Sequence, residues 1–382
     1  MDKSLKIAVN TRFLIKNRLE GIGRFTQETF KRIVQQNPQH QFYFLFDRDY
    51  DDSFLFGDNV TPIKLNPPAR HPILWYYWFE HSIPAALNKL KPDVFISPDG
   101  FASINTKVPS LSVFHDLAFE HYPNHVPFTT RWFYKYFSPK YANKVNRIAT
   151  VSSYTKQDII DKYKIDADKI DVVYNGANPS CKPLNEANKQ LTRNSYTNGN
   201  PFFVFISAVH PRKNLERILL AFDELKESYS EPIELVVAGR MAWQNEKLKA
   251  ILKQMKHKSS VNFVGHLAIE EIEKLCASAA ALVYPSLFEG FGLPILEAMY
   301  AETPVITSNV SSMPEIAGDA AVLVNPLKYE SIKEAMLKIL TEKGLTNELI
   351  EKGKLQREKF NWELTAEKLW NSILKVIEET SN

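Results

Sequence analysis

Cysteine is almost absent from this chain. Two in 382 residues, Cys181 and Cys276, exclude a disulfide framework, and neither sits in metal-ligand spacing. Both read as reduced thiols of a cytoplasmic protein. Long apolar runs are missing as well. Stretches such as 202–209 fall far short of the ~20 residues that a membrane-spanning helix requires. Met1-Asp2-Lys3-Ser4 leads straight into the strand-like segment 5–9, without a basic n-region or apolar h-region, so no signal peptide is expected. A large excess of one charge is also lacking. The net charge of +3 gives no ground for nucleic-acid binding, and no recognised nucleic-acid module accompanies it. With 44% hydrophobic and 24% charged residues the composition is globular, which excludes disordered, collagen-like and coiled-coil readings.

What is present is organisation. At roughly 150 residues per domain, the length favours two domains. Residues 1–195 hold 26 Lys+Arg against 19 Asp+Glu, whereas 196–382 hold 21 against 25. A basic half and a mildly acidic half are expected to face different partners. Between them, 185–200 is polar and ends in Asn-Gly-Asn before a proline, which reads as a linker. On either side, short β-branched or aromatic runs alternate with helical periodicity, including a helix near 73–90. The fold class is therefore α/β, with two Rossmann-like, doubly wound domains at 1–195 and 196–361. Such sheets bind ligands beyond the carboxyl ends of their strands, and two of them facing one another would form a cleft.

The segment from Tyr284 to Ala298 carries the most chemistry. A strand enters a loop containing Gly290 and Gly292, and Pro294 falls where the first turn of a helix belongs. Backbone N–H groups of that loop and the positive helix end suit an anion such as a diphosphate. Glu289 and Glu297 bracket the loop at Glu-x7-Glu spacing and can accept hydrogen bonds from sugar or ribose hydroxyls. The same spacing occurs at Glu20/Glu28, Glu216/Glu224 and Glu334/Glu342, but without the strand–loop–helix context. Arg212 and Lys213 follow the first strand of the second half, where adjacent cations can neutralise a leaving diphosphate. In the first half, Glu20-Gly21-Ile22-Gly23-Arg24 follows the first strand. It lacks the third glycine and the acidic residue of a dinucleotide site. His115 follows the strand 110–114; a lone histidine is more often a structural hydrogen-bonder, but this position at a strand's carboxyl end adds weight to a functional role.

Gly21-Ile-Gly-Arg-Phe25, His115-Asp-Leu117, Val151-Ser-Ser-Tyr-Thr-Lys156, Asn175-Gly176, Pro211-Arg-Lys-Asn214 and Phe288 to Ala298 occur in one order. Together they resemble the retaining glycosyltransferases of family 4, with the GT-B fold, over nearly the whole chain. The resemblance implies an acceptor domain first and a nucleotide-sugar donor domain second. It also implies no essential metal or other cofactor, and a final helix, 362–379, that returns to the first domain. It assigns Glu297 to the donor ribose, Glu289 to sugar hydroxyls, the backbone amides of Phe291, Gly292 and Leu293 to the sugar and phosphates, and Arg212 and Lys213 to the diphosphate. His115 would lie near the transferred sugar, Gly23 near the phosphates, and His266 and Leu267 beside the base. Many relatives carry Gly-Arg where this chain has Ser207-Ala208, which leaves Arg212 to take that cation's part.

The expected reaction moves a mannose- or glucose-type hexose from a GDP- or UDP-sugar to a saccharide or lipid-linked acceptor in cell-surface glycan assembly. Rival readings are a nucleotide-sugar epimerase of the same fold and a non-catalytic nucleotide-sugar binder. A GT-A-type metal site at Asp47-Arg48-Asp49 is a third. The aromatic, basic segments 73–79 and 131–147 read either as core-packed helix faces or as a peripheral contact with the inner face of a membrane.

Overall fold

The computed structural model describes residues 4–177, 180–240 and 246–381. The expected leaderless start at Met1–Lys3 lies outside them. Contacts divide the chain into two compact units, Met1–Gly176 with Asn361–Asn382, and Ala177–Phe360. Among the described residues no helix is long and apolar enough to cross a membrane.

The first unit is built on seven parallel strands: β1 (Lys6–Asn10), β2 (Gln41–Phe46), β3 (Val60–Lys64), β4 (Val94–Ser97), β5 (Ser110–Phe114), β6 (Arg147–Thr150) and β7 (Ile170–Val172). Their spatial order is β3-β2-β1-β4-β5-β6-β7. The order reverses between β1 and β4, and ligand sites form at the carboxyl ends beside such a reversal. Strands β4, β5 and β6 are buried along their whole length. Helices cover both faces of such a sheet, so its strands read as apolar runs rather than alternating ones. The helix Gly21–Gln36 buries Phe25, Phe30, Ile33 and Val34.

The final helix, Trp362–Ser381, belongs to this unit and packs along Gly21–Gln36. Its start is set by close approach. A Cβ on Gly176 would stand 2.5 Å from the Trp362 nitrogen, and Thr365 Oγ1 donates to the Tyr174 carbonyl at 2.7 Å. Its far end is held by Arg147, which pairs with Glu379 at 2.6 Å and with Asp171 at 2.9 Å.

The second unit has six parallel strands: β8 (Phe202–Ile206), β9 (Glu234–Ala238), β10 (Val261–Gly265), β11 (Ala281–Tyr284), β12 (Val305–Ser308) and β13 (Val322–Val324). Their order is β10-β9-β8-β11-β12-β13, with the reversal between β8 and β11.

One expectation needs correction. The polar stretch 185–200 is not a linker: Glu186–Thr197 is helical, capped by Asn185, whose side chain accepts from Asn188 N–H, and closed by Asn198 at φ 52°. That helix packs on Ile269–Ser278, so the chain changes unit at Gly176/Ala177 rather than at 195/196. The helix expected near 73–90 is present over 72–90. A π-turn over Trp78–Ser82 interrupts it, ahead of Pro84, whose missing N–H cannot continue the ladder.

Candidate active site

At the reversal in the second unit, the loops after β8 and β11 are joined by charge. Arg212 and Lys213 stand on a single 3-10 turn, Pro211–Lys213, whose preceding residue His210 accepts from the Arg212 N–H through its side chain. Glu289 stands on the loop after β11 and is only 7% exposed. Arg212 Nη1 donates to Glu289 Oε2 at 2.8 Å and to the Phe288 carbonyl at 2.7 Å. Lys213 Nζ donates to Glu289 Oε1 at 2.6 Å and to the Tyr284 hydroxyl at 2.7 Å. Burial alone would raise the Glu289 carboxyl. The adjacent charges of Arg212 and Lys213 outweigh it and hold the pKa at about 2. The Tyr284 phenol is pushed up, first by burial and then by the Glu289 charge, so it stays protonated.

Backbone and small polar groups set this cluster. Asn214, at φ 65°, donates from Nδ2 to the carbonyls of Pro285 (2.9 Å) and Pro326 (2.7 Å). Ser312 Oγ donates to the carbonyls of Glu289 and Phe291, both at 2.9 Å, and Ser311 Oγ accepts from the Glu289 N–H at 3.1 Å. Gly292 caps the helix Leu293–Tyr300 at φ 106°, which only glycine adopts readily, with Pro294 in the first turn. A helix start and cations at the mouth of one sheet are groups of the kind that can receive an anion. An ionised carboxylate accepts but does not donate, and each of its oxygens has capacity beyond one cation, so Glu289 can also take sugar hydroxyls.

Glu297 lies one turn into that helix, half-buried, and its charge helps burial raise the Cys276 thiol. His266 and Leu267 follow β10, with β9 between that strand and β8. Ser207-Ala208 has a packing counterpart: a Cβ on Gly239, at φ 146°, would meet the Ser207 carbonyl oxygen at 1.9 Å.

The first unit gathers polar groups at its own reversal. Asn10 Nδ2 donates to Ser97 Oγ at 3.0 Å and to Asp99 Oδ2 at 2.8 Å. Arg12 Nε pairs with Asp99 Oδ2 at 2.5 Å, and its guanidinium lies over the rings of Phe13 and Phe101, each 4.6 Å from the centroid. His115 lines the same cavity of about 160 Å³, together with Asp116 and Tyr134. Its Nε2 lies 2.8 Å from the Pro98 carbonyl, and Phe25 meets its ring edge-on at 5.2 Å. Burial pulls the His115 pKa below the usual value; the Pro98 carbonyl, Asp116 and Asp99 oppose this in part. A carbonyl only accepts, so the neutral ring carries its proton on Nε2 and leaves a lone pair on Nδ1. Gly23 has a local reason to be glycine, since a Cβ would stand 2.5 Å from the Phe13 carbonyl oxygen.

Sequence reasoning singled out Arg212, Lys213 and Glu289, which the structure joins directly. It gave no role to Tyr284, Asn214, Ser311 or Ser312, or to the Arg12–Asp99 pair. Asn214 closes the motif that begins at Pro211, and Tyr284 opens the segment that ends at Ala298; the separation of 87 positions between Arg12 and Asp99 leaves no short signal. Asp47 and Asp49 are both engaged by cations: buried Asp47 takes Arg48 through both oxygens (2.6 and 2.8 Å), and Asp49 takes Lys64 (2.6 Å). Among the described residues no three His, Cys, Asp or Glu side chains gather as metal ligands.

Two family models divide the chain between them. "Glycosyltransferase Family 4" matches residues 19–180 and "Glycosyl transferases group 1" matches 188–356. The O-antigen chain mannosyltransferase B of Escherichia coli is 25% identical over 360 residues, 91% of this chain and 94% of that protein. A glycosyltransferase from Rickettsia africae superposes with a TM-score of 0.72 at 17% identity, covering 98% and 99% of the two chains. The Anabaena protein HepE, solved with UDP, gives 0.75 at 14% identity over 97% and 100%. The fold is GT-B.

Proposed function

We infer that this chain, which belongs to the group 1, family 4 glycosyltransferases, moves a hexose from a nucleotide-sugar to a saccharide or lipid-linked saccharide. The process served is cell-surface glycan assembly on the cytoplasmic side, at the inner face of the membrane. The observation that carries this reading is the Glu289 carboxylate held between Arg212 and Lys213 at the mouth of the second sheet. Mannose is favoured over glucose by the mannosyltransferase relative. UDP held by the Anabaena protein supports a nucleoside-diphosphate donor.

Breaking a glycosyl–phosphate bond leaves an anionic diphosphate and an oxocarbenium-like sugar. In this reading Lys213, Arg212 and the helix start at Phe291, Gly292 and Leu293 stabilise the departing diphosphate. Their fixed charges do what a bound metal does elsewhere, so no metal is required. Glu289 orients sugar hydroxyls, Glu297 takes the ribose, and His266 and Leu267 border the base. The resemblance assigns His115, whose Nδ1 carries a lone pair, to a hydroxyl of the transferred sugar, and Gly23 to phosphate. The acceptor hydroxyl attacks on the face that the leaving group vacates and passes its proton to the departing diphosphate oxygen, which retains the anomeric configuration without a covalent glycosyl-enzyme.

Thermal-shift screening against GDP, UDP and their sugars identifies the donor. Incubation of that donor with saccharide acceptors in EDTA should then yield a glycosylated product of unchanged anomeric configuration. An epimerised sugar nucleotide from donor alone would show an epimerase instead. Binding without turnover across the acceptor panel would show a sensor.

A further inference from the structure

We propose that the helices Pro72–Tyr77 and Phe128–Lys144 of the first unit form a docking surface for a bilayer that carries anionic lipid. The longer helix presents two stripes. Phe133, Phe137 and Tyr141 are buried and complete the core. Phe128, Trp132 and Tyr136, four residues apart along another face, are 71%, 57% and 47% exposed. Packing the unit therefore does not account for the second stripe, and reading this helix simply as a core element leaves it unexplained.

The exposed stripe is ordered and basic. The rings of Trp132 and Tyr136 stack at 5.5 Å, Lys140 Nζ lies 3.6 Å from the Tyr136 centroid, and Arg131 lies over Phe128. The 17-residue helix holds no Asp or Glu, but carries Arg131, Lys135, Lys140 and Lys144. Beside it, the uncharged helix Pro72–Tyr77 adds Ile73 and Tyr77, 71% and 55% exposed. The two helices are held to each other by Trp75, which stacks on Tyr134 at 5.9 Å and meets Phe133 edge-on at 5.4 Å.

Amphipathic aromatics with an apolar body and a polar tip settle at the headgroup level, and lysines reach past them to lipid phosphates. Burial of aromatic area and attraction to anionic headgroups then act together. Charge complementarity selects this occupant over a second copy. A two-fold contact on this face would set its cations against themselves, with no carboxylate on either helix to answer them. The purpose of docking, access to a lipid-linked acceptor, rests on the proposed function; the docking itself does not.

The test is flotation of the full-length protein with phosphatidylcholine vesicles, with and without phosphatidylglycerol, at low and high salt. Wild type should float with the anionic vesicles at low salt and largely release at high salt. Lys135→Gln/Lys140→Gln should lower that partition about tenfold or more. Trp132→Ala/Tyr136→Ala should lower it by a similar factor on vesicles of either composition. All variants should keep the wild-type Tm, which separates lost docking from lost folding. Failure to float, or equal flotation of wild type and variants, would overturn the proposal. So would a wild-type dimer that Trp132→Ala/Tyr136→Ala dissociates while no form binds vesicles. Because the assay contains no sugar nucleotide, a protein that floats yet gives no thermal shift with any donor would defeat the functional reading alone.

Discussion

The Glu289 carboxylate accepts from Lys213 Nζ at 2.6 Å across 76 residues of sequence, and both side chains are largely withdrawn from solvent. A pair of this kind gives modest net stability, because taking two charges out of water offsets much of their attraction. Its consequence is preorganisation. Lys213 and Arg212 are held at the sheet's mouth before any ligand arrives, and an incoming diphosphate meets fixed cations rather than mobile ones.

Glu289→Gln should remove the counter-charge of two partly buried cations and destabilise the second unit by about 3 kcal/mol. The effect depends on pH with a definite sign. A carboxyl held at about 2 rather than 4.5 stabilises the fold fully above pH 4.5 and loses that contribution as pH falls towards 2. The Tm gap between wild type and variant should be widest at neutral pH and close through that window. A gap that stays constant from pH 7 to acid would contradict the pairing.

Tyr284→Phe keeps the buried ring and removes only the hydroxyl that accepts from Lys213. Losing one such bond should lower kcat about tenfold. If the hydroxyl acts through Lys213, which it holds at 2.7 Å, adding Tyr284→Phe to Lys213→Ala should change nothing further. Additive losses in this double-mutant cycle would show an independent role.

Gly239→Ala tests the packing between β8 and β9. The new Cβ would have to displace the Ser207 backbone carbonyl, 1.9 Å away. A loss of about 3 kcal/mol or more is expected, as for other changes that force the backbone to move. Gly344→Ala, also at positive φ but with open space around it, should cost only about 1 kcal/mol. Chemical denaturation compares the two.

His115 stays neutral to lower pH than an ordinary histidine, because burial opposes its charge. If its lone pair meets the transferred sugar, the acid limb of kcat/KM should lie below the usual histidine range near 6.5. His115→Asn should remove that limb while leaving the donor thermal shift in place. A wild-type limb at or above 6.5 would be inconsistent with the buried neutral ring.

The central parallel strands are legible because they are buried on both faces and so read as short apolar runs, as Phe202–Ile206 does. The same logic places Arg212, Lys213 and Glu289 at strand ends. Polarity misleads at Glu186–Thr197, where two asparagines cap a helix whose composition resembles a linker. At 73–90 the apolar pattern gives the helix, but aromatic content cannot reveal the π-turn inside it. Arg12 and Asp99 become neighbours only when β1 and β4 pair, so neither announces itself locally. Tyr284 looks like any strand-end aromatic until its hydroxyl is seen against Lys213.

The most direct test of the central claim is the turnover of Lys213→Ala with the identified donor and acceptor, beside a thermal-shift control for folding. A folded variant with kcat lowered about 10²–10³-fold is the predicted result, as for loss of one preorganised charge-stabilising group. A folded variant that turns over at the wild-type rate would contradict the account.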